Sequence, residues 1–231
     1  MTAVAVVVGA LASACGGQSS AEAFADPSWQ KQFGISKCSL SSTGRSRYFV
    51  LEPGFRIVLE GGEGKLAVTV LDETRVVSSV ETRVVEEREW NDGKLIEVSR
   101  NYFAFCPATK DAFYFGEEVD DVENGEVVGH AGAWLAGENG ARAGLIMPGR
   151  PKVGMKYYQE VAPDIALDRA EILALDETFE TPAGALSGCL RTEEGTALDP
   201  GEKEQKTYAP GVGLVQDENL LLTGYGFAQP Q

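Results

Sequence analysis

Val80-Glu-Thr-Arg-Val-Val-Glu-Glu-Arg-Glu-Trp-Asn-Asp-Gly-Lys-Leu-Ile-Glu-Val-Ser-Arg-Asn-Tyr-Phe-Ala-Phe105 is the stretch that decides the fold. Two runs of β-branched and aromatic residues with partial period-two alternation, 80–89 and 94–105, flank Asn91-Asp92-Gly93, which supplies the positive φ that a tight hairpin turn requires. The pattern predicts a hairpin over 88–98. Outward from it, 65–71 reads as the preceding strand, and Asn124-Gly125 predicts a second hairpin over 119–128, with strands at 112–117 and 126–134. A Gly-rich stretch at 137–149 reads as a linker. Beyond it, 156–161, 170–175, 185–192, 204–208 and 213–217 form a second strand series, and 220–225 is placed as a strand closing a sheet edge. Helix is confined to a turn over 28–33; 166–175 is helical by composition, but its flanks favour strand.

The second series resembles the first. Leu71-Asp72-Glu73-Thr74 recurs as Leu175-Asp176-Glu177-Thr178, Val84-Val85-Glu86-Glu87 as Arg191-Thr192-Glu193-Glu194, and Tyr102-Phe103-Ala104 as Thr207-Tyr208-Ala209. Three matches in one order predict a degenerate internal duplication, with pseudo-repeats at about 48–134 and 145–225. Chance recurrence of strand and turn chemistry in a β-rich chain is the alternative. Two antiparallel meanders must bury their apolar faces, so the expectation is a single all-β domain over 28–231, built as a sandwich, clam or incomplete barrel.

The first residues carry an address. The apolar run Val4-Ala5-Val6-Val7-Val8 leads through small residues to Cys15, too short to span a bilayer and consistent with a secretory leader. Leu11-Ala-Ser-Ala-Cys15 resembles the lipobox of bacterial lipoproteins, in which the cysteine becomes the acylated first residue of the mature chain. Ala12 stands where a larger aliphatic residue is usual, and no Lys or Arg precedes the run, so the true start is expected slightly upstream. On this reading 1–14 is a signal peptide, 15–27 a lipid anchor and flexible tether, and acylated Cys15 holds the body at the bacterial cell envelope, periplasmic or on the surface. A cleaved leader with an incidental Cys15 is the other option.

With 35 acidic against 20 basic residues and a formal net charge of −15, nucleic acid is excluded as an expected partner, because phosphate backbones attract clustered Lys and Arg. The four cysteines leave Cys38, Cys106 and Cys189 if Cys15 is acylated. One disulfide is expected in an oxidising compartment, with Cys38–Cys106 preferred and Cys189 read as a small buried hydrophobe. The single histidine, His130, and the lack of C-x-x-C spacing give a metal or cofactor almost no ligands to draw on, so no cofactor is expected.

Other motifs have plain readings. The oxygen-rich segment from Asp120 to Glu126 fails calcium-loop spacing, since Val122 occupies a ligand position, and reads as a hairpin turn. Glu81, Glu86, Glu87, Glu89, Glu193 and Glu194 offer carboxylates for glycoside hydrolysis, but a solvated strand face explains them more simply. Pro-Gly pairs in Tyr48-Phe-Val-Leu-Glu-Pro-Gly-Phe55, Met147-Pro-Gly149 and Tyr208-Ala-Pro-Gly-Val-Gly-Leu214 mark sharp reversals. With Gly144-Leu-Ile-Met-Pro148, these segments resemble a family of uncharacterised bacterial exported proteins and lipoproteins, over Tyr48 to Val215. The resemblance implies export and a β-rich fold and brings no catalytic residue or ligand.

The expected function is therefore a non-catalytic binding or structural module, membrane-anchored, acting on an envelope protein. The second expectation is a carrier whose concave face, lined by Trp90, Tyr102, Phe105, Phe113, Phe115 and Trp134, accepts a hydrophobic ligand. A glycan-active enzyme using carboxylates ranks third. A solvent-connected cavity lined by those aromatics favours the carrier, facing carboxylates in a cleft favour the enzyme, and a filled interior favours the interaction module.

Overall fold

A computed structural model describes residues 26–227. The leader, Cys15 and most of the expected tether lie outside the described residues. The regular structure of the described part is strand throughout, save one short 3₁₀ turn. Short strands β1 (Gly44–Arg45) and β2 (Val50–Leu51) pair with each other, and β3 (Phe55–Gly61), β4 (Gly64–Val77), β5 (Val80–Asn91), β6 (Lys94–Phe105) and β7 (Ala112–Glu123) follow as a continuous meander. Strands β8 (Glu126–Gly129) and β9 (Trp134–Leu135) fold back on β7, and β10 (Arg142–Met147) pairs with it on the same side. After β11 (Lys156–Tyr158) and β12 (Glu160–Val161), the second meander comprises β13 (Asp168–Thr181), β14 (Gly184–Thr196), β15 (Glu204–Ala209), β16 (Gly213–Asp217) and β17 (Leu220–Phe227).

These strands form one antiparallel sheet in the order β11-β13-β14-β15-β16-β17-β3-β4-β5-β6-β7-β10-β12. Its two ends meet in the chain itself. One residue, Gln159, separates β11 from β12; β11 pairs with β13 while β12 pairs with β10, and the Gln159 amide donates to the Asp168 carbonyl at 2.7 Å. The sheet thus curls into a nearly closed barrel, which removes exposed edges. At the seam the backbones come close: a Cβ on Gly144 would lie 2.0 Å from the Gln159 carbonyl oxygen, so β10 needs glycine there.

Turn chemistry sets the hairpins. Asp92 (φ 50°) with Gly93 (φ 70°) and Asn124 (φ 54°) with Gly125 (φ 84°) adopt the paired positive φ that suits the strand twist. Ser78 and Ser79 do the same at φ 49° and 66°, without any sequence signal for it. The β4 strand therefore runs past Leu71 to Val77, and the polar Asp72-Glu73-Thr74 segment, read as a turn, is an interruption of pairing between Val70 and Thr74. The matched Asp176-Glu177-Thr178 lies at the corresponding irregularity of the β13–β14 hairpin.

Three further expectations are corrected. The stretch 137–149 is not a linker, for it contains β10, with Leu145 and Met147 buried. No helical turn forms over 28–33; the described helix is a 3₁₀ turn at Ile35–Lys37, and Gln30 instead bridges β11. The 220–225 strand closes no edge, because β17 pairs with β3 along six residue pairs and joins the two meanders at mid-sheet. The stretch 166–175 is strand, its helical composition overridden by pairing on both sides.

The segment preceding β1 is tied to the C-terminal end of β6 and the start of β7. Ser41 exchanges backbone hydrogen bonds with Phe105 at 2.8 and 2.9 Å, Phe33 packs on Phe113, and a disulfide joins Cys38 to Cys106 with 5.9 Å between Cα atoms. Cys189 is a free, buried thiol.

Candidate functional site

Cross-strand partners share a face, so the register tells which side chains enter the barrel. Leu222, Leu59 and Leu66 are successive partners across β17, β3 and β4, and all three are buried. They form an aliphatic wall. Leu66 in turn partners Glu89 of β5, and Glu89 partners Glu97 of β6. One step along the same strands, Val68, Glu87 and Ser99 share a row. The next row holds Val85, Asn101 and Glu117. The inward side of β5, β6 and β7 is thus acidic where the wall of β17, β3 and β4 is aliphatic.

The second meander continues the acidic lining. Tyr157 partners Ala170, which partners Glu194, which partners Glu204, while Thr192 partners Lys206 and Lys206 partners Asp217. Lys206 Nζ lies 2.9 Å from Glu204 Oε1 and 3.4 Å from Asp217 Oδ1. Its charge is felt by Glu87, Glu89, Glu160 and Asp168 from other strands, which places the ammonium among them. The Lys206, Asp217 and Glu204 side chains keep 21%, 20% and 33% of their surface, so this part of the interior is wet.

Burial and charge crowding act together on Glu87, Glu97, Glu117, Glu160 and Asp168. Burial first, and then the Glu89 charge, pushes Glu87 up to about 7; burial with Glu89 and Asp121 does the same to Glu97. Burial raises Glu117 to about 8 even though a hydrogen bond with Tyr114 opposes it. Glu160 and Asp168 are raised by burial and by each other's neighbourhood of carboxylates. Burial disfavours the Lys206 ammonium, but Asp217, Glu204 and Glu194 outweigh it and hold Lys206 well above its ordinary value.

One polar group at this site is left over. Tyr157 Oη is buried without a hydrogen-bond partner, whereas the buried Trp134 indole N–H is directed at the Glu160 carboxyl. Others are satisfied: Gln159 donates to Glu194 at 3.0 Å, Thr192 donates to Glu194 at 2.8 Å, and the Tyr208 hydroxyl donates to the same carboxylate at 2.8 Å. Tyr114 donates to Asn101, and Tyr114 stacks on Phe103 at 4.7 Å with Trp134 edge-on at 5.4 Å. A cleft of about 190 Å³, bordered by Glu117, Trp134, Leu135, Ala141 and Ile165, opens beside this cluster.

The expected ligand-face aromatics do not share one surface. Tyr102, Phe105, Phe113, Phe115 and Trp134 are each 4% exposed or less. Tyr102 hydrogen-bonds Arg75 and Glu118, Phe113 meets Phe33 under the N-terminal segment, and Trp134 faces the barrel interior beside Tyr114. Trp90 stands apart, half-buried at a surface groove with Lys65 over its ring at 5.8 Å. The solvated-face reading of the glutamates holds for Glu81, which is exposed and bonded to Ser42, and for Glu86 with Arg88. It fails for Glu87, Glu89 and Glu194, which point inward; Glu193 meets Lys203 outside. His130 is 68% exposed, its Nδ1 3.0 Å from Asp120, on the far side of the hairpin turn at Asn124-Gly125.

Glu97, Glu117, Glu160, Asp168, Glu204, Lys206 and Asp217 were not singled out from sequence. A signal existed in Glu87-x-Glu89 and Glu204-x-Lys206, charged residues in phase with one another on a strand. The duplication carried it too, for Glu87 and Glu194 occupy the same place in the matched segments and both face inward.

No family model matches the chain, and no curated protein does. Among solved structures, a putative lipoprotein from Parabacteroides distasonis ATCC 8503 is similar at 12% identity and a TM-score of 0.37, over 79% of this chain and 100% of that one. A likeness at that score carries no argument about this chain.

Proposed function

We propose that the protein is an exported bacterial envelope protein, held by an acylated Cys15, whose barrel acts as a non-catalytic binding module for a small polar ligand. The observation that carries this reading is the interior itself. A barrel of this size is stable when inward positions are apolar, and confining carboxylates beside one another lowers stability. Retention of Glu87, Glu89, Glu97, Glu117 and Glu160 around a wet interior is what a binding site would require and what a scaffold would not. The Cys38–Cys106 disulfide is in keeping with an oxidising compartment.

The sealed packing of the aromatics argues against a hydrophobic-ligand carrier. Glycan hydrolysis has some support, since Glu87 and Glu97 near 7 could hold a proton at neutral pH. Binding is preferred because hydrolysis uses a pair of carboxylates, whereas here many surround one ammonium.

Native mass spectrometry of protein taken from host membranes tests the proposal. The expected spectrum shows a chain beginning at diacylated Cys15 and a small polar adduct lost on denaturation, and Cys15→Ser should move the protein to the soluble fraction. An unprocessed chain in the cytosol would overturn the location, and an adduct-free protein the binding role.

A further inference from the structure

We infer that the end of the barrel at which the chain enters is a docking face for anionic lipid headgroups, those of the membrane in which Cys15 is anchored. The choice of a membrane as occupant rests on the location half of the proposed function and is independent of any ligand in the interior.

The formal charge of −15 is not spread evenly. Because neighbouring strands are antiparallel, the turns joining β3 to β4, β5 to β6, β7 to β8, β14 to β15 and β16 to β17 gather at one end, where Glu63, Asp92, Glu126, Glu202 and Glu218 are exposed. The turn joining β6 to β7 and the loop after β10 lie at the other end. From Ala141 to Tyr158 the sequence holds bases and no acid.

Contacts gather four exposed bases on that second end. The Cys38–Cys106 disulfide holds Lys37 beside the turn that carries Lys110, and a Cβ on Gly149 would lie 2.6 Å from Lys110 Cβ, so Arg150 and Lys152 follow directly from the point where turn and loop touch. Arg47 and Lys203 are spent on Asp176 and Glu193, whereas Lys37, Lys110, Arg150 and Lys152 form no ion pair among the described residues. The acids bordering the face are engaged: Asp111 accepts the Gly149 amide at 2.8 Å, and Glu171 meets Lys156 at 3.0 Å. Val153, 62% exposed beside Lys152, adds an apolar contact at headgroup level.

The path of the chain is a second, independent observation. Gln30 bridges Tyr157 in parallel, so the residues ahead of it lead back to the basic end, with the Trp29 ring under Lys156 at 5.4 Å and Arg169 at 4.5 Å. From Cys15 to Asp26 the backbone reaches about 40 Å at most, so an acylated Cys15 brings this end to the bilayer first. Screening then decides the sign. Charges are felt over about 8 Å at physiological ionic strength, and strands as long as β5 hold the acidic turns several such lengths away.

Co-sedimentation of the full chain carrying Cys15→Ser, which cannot be acylated, with phosphatidylcholine vesicles and with vesicles containing about one third phosphatidylglycerol tests this. Binding to the anionic vesicles is expected to be about tenfold tighter or more and to fall as salt is raised. Arg150→Gln with Lys152→Gln should weaken it about fivefold or more, while the charge-matched Lys94→Gln with Arg142→Gln, exposed away from that face, should leave it unchanged. All four positions are exposed, so both double variants should keep the wild-type circular dichroism. Equal binding to the two vesicles, equal loss in the two double variants, or tighter binding to soluble polyphosphate than to the anionic vesicles would each overturn the inference. An acylated protein without this lipid preference refutes the docking face alone, and an unacylated one that keeps it refutes only the location.

Discussion

Lys206 and Asp217 are cross-strand partners on β15 and β16, and Lys206 Nζ reaches Asp217 Oδ1 at 3.4 Å from inside the barrel. The ammonium is the counter-charge for acids on both meanders, so its removal should be felt well beyond that pair. Lys206→Met is expected to destabilise the fold at neutral pH by about 2–4 kcal/mol, since it strands partly buried carboxylates. Urea denaturation checks this, and the loss should shrink at acidic pH as the stranded acids become protonated.

The crowded carboxylates also set the pH dependence of stability. Glu87 and Glu97 titrate near 7 and Glu117 near 8 in the folded protein, above their ordinary 4.5. Between those values the folded chain holds more protons than the unfolded one, so stability must fall as pH rises from about 4.5 to about 8. Lys206 is raised, and its contribution is lost only above about 10.5, outside this window. Glu60, Glu118 and Glu177 are lowered and act only below about 4.5. The midpoint of thermal unfolding is therefore expected to be higher at about pH 5 than at about pH 8, by roughly 5–10 °C. A midpoint that rises with pH would contradict the crowded interior.

Glu87→Gln isolates one member of that group. It should stabilise the fold at about pH 8 by roughly 1 kcal/mol and change little at about pH 5, where Glu87 is already neutral. Matched chemical denaturation at the two pH values reads the difference.

Gly144→Ala tests the seam. The added Cβ would meet the Gln159 carbonyl at 2.0 Å, a clash between two backbones that no rotamer relieves. A loss of about 3 kcal/mol or more is expected, with hydrogen exchange quickening first at the amides of β11 and β12.

Reducing or deleting the disulfide should loosen the N-terminal segment. Cys38 and Cys106 are 68 residues apart, and closing a loop of that length stabilises by about 2–4 kcal/mol. Cys38→Ser is expected to lower the unfolding midpoint by roughly 5–10 °C and to speed exchange at Ser41 and Phe105, whose amides bond across that contact.

Local chemistry made much of the fold readable. Alternating β-branched residues and the Asp92-Gly93 and Asn124-Gly125 turns require strands and hairpins wherever they occur, because φ preference and side-chain crowding act within a few residues. The same reading stopped at Leu71 and took 137–149 for a linker, since a pairing irregularity, a Ser78-Ser79 turn and a glycine-bearing strand leave no such local mark.

Sequence by itself determined the strand class, the hairpin phase and the acidic balance, all of which follow from residue-level preference. Tertiary structure alone decided that β17 joins β3, that Gln159 closes the seam, and that Glu87, Glu97 and Glu117 turn into the barrel. A strand's two faces are equivalent until partners distant in the chain pair with it, so which row of carboxylates becomes the interior depends on long-range register.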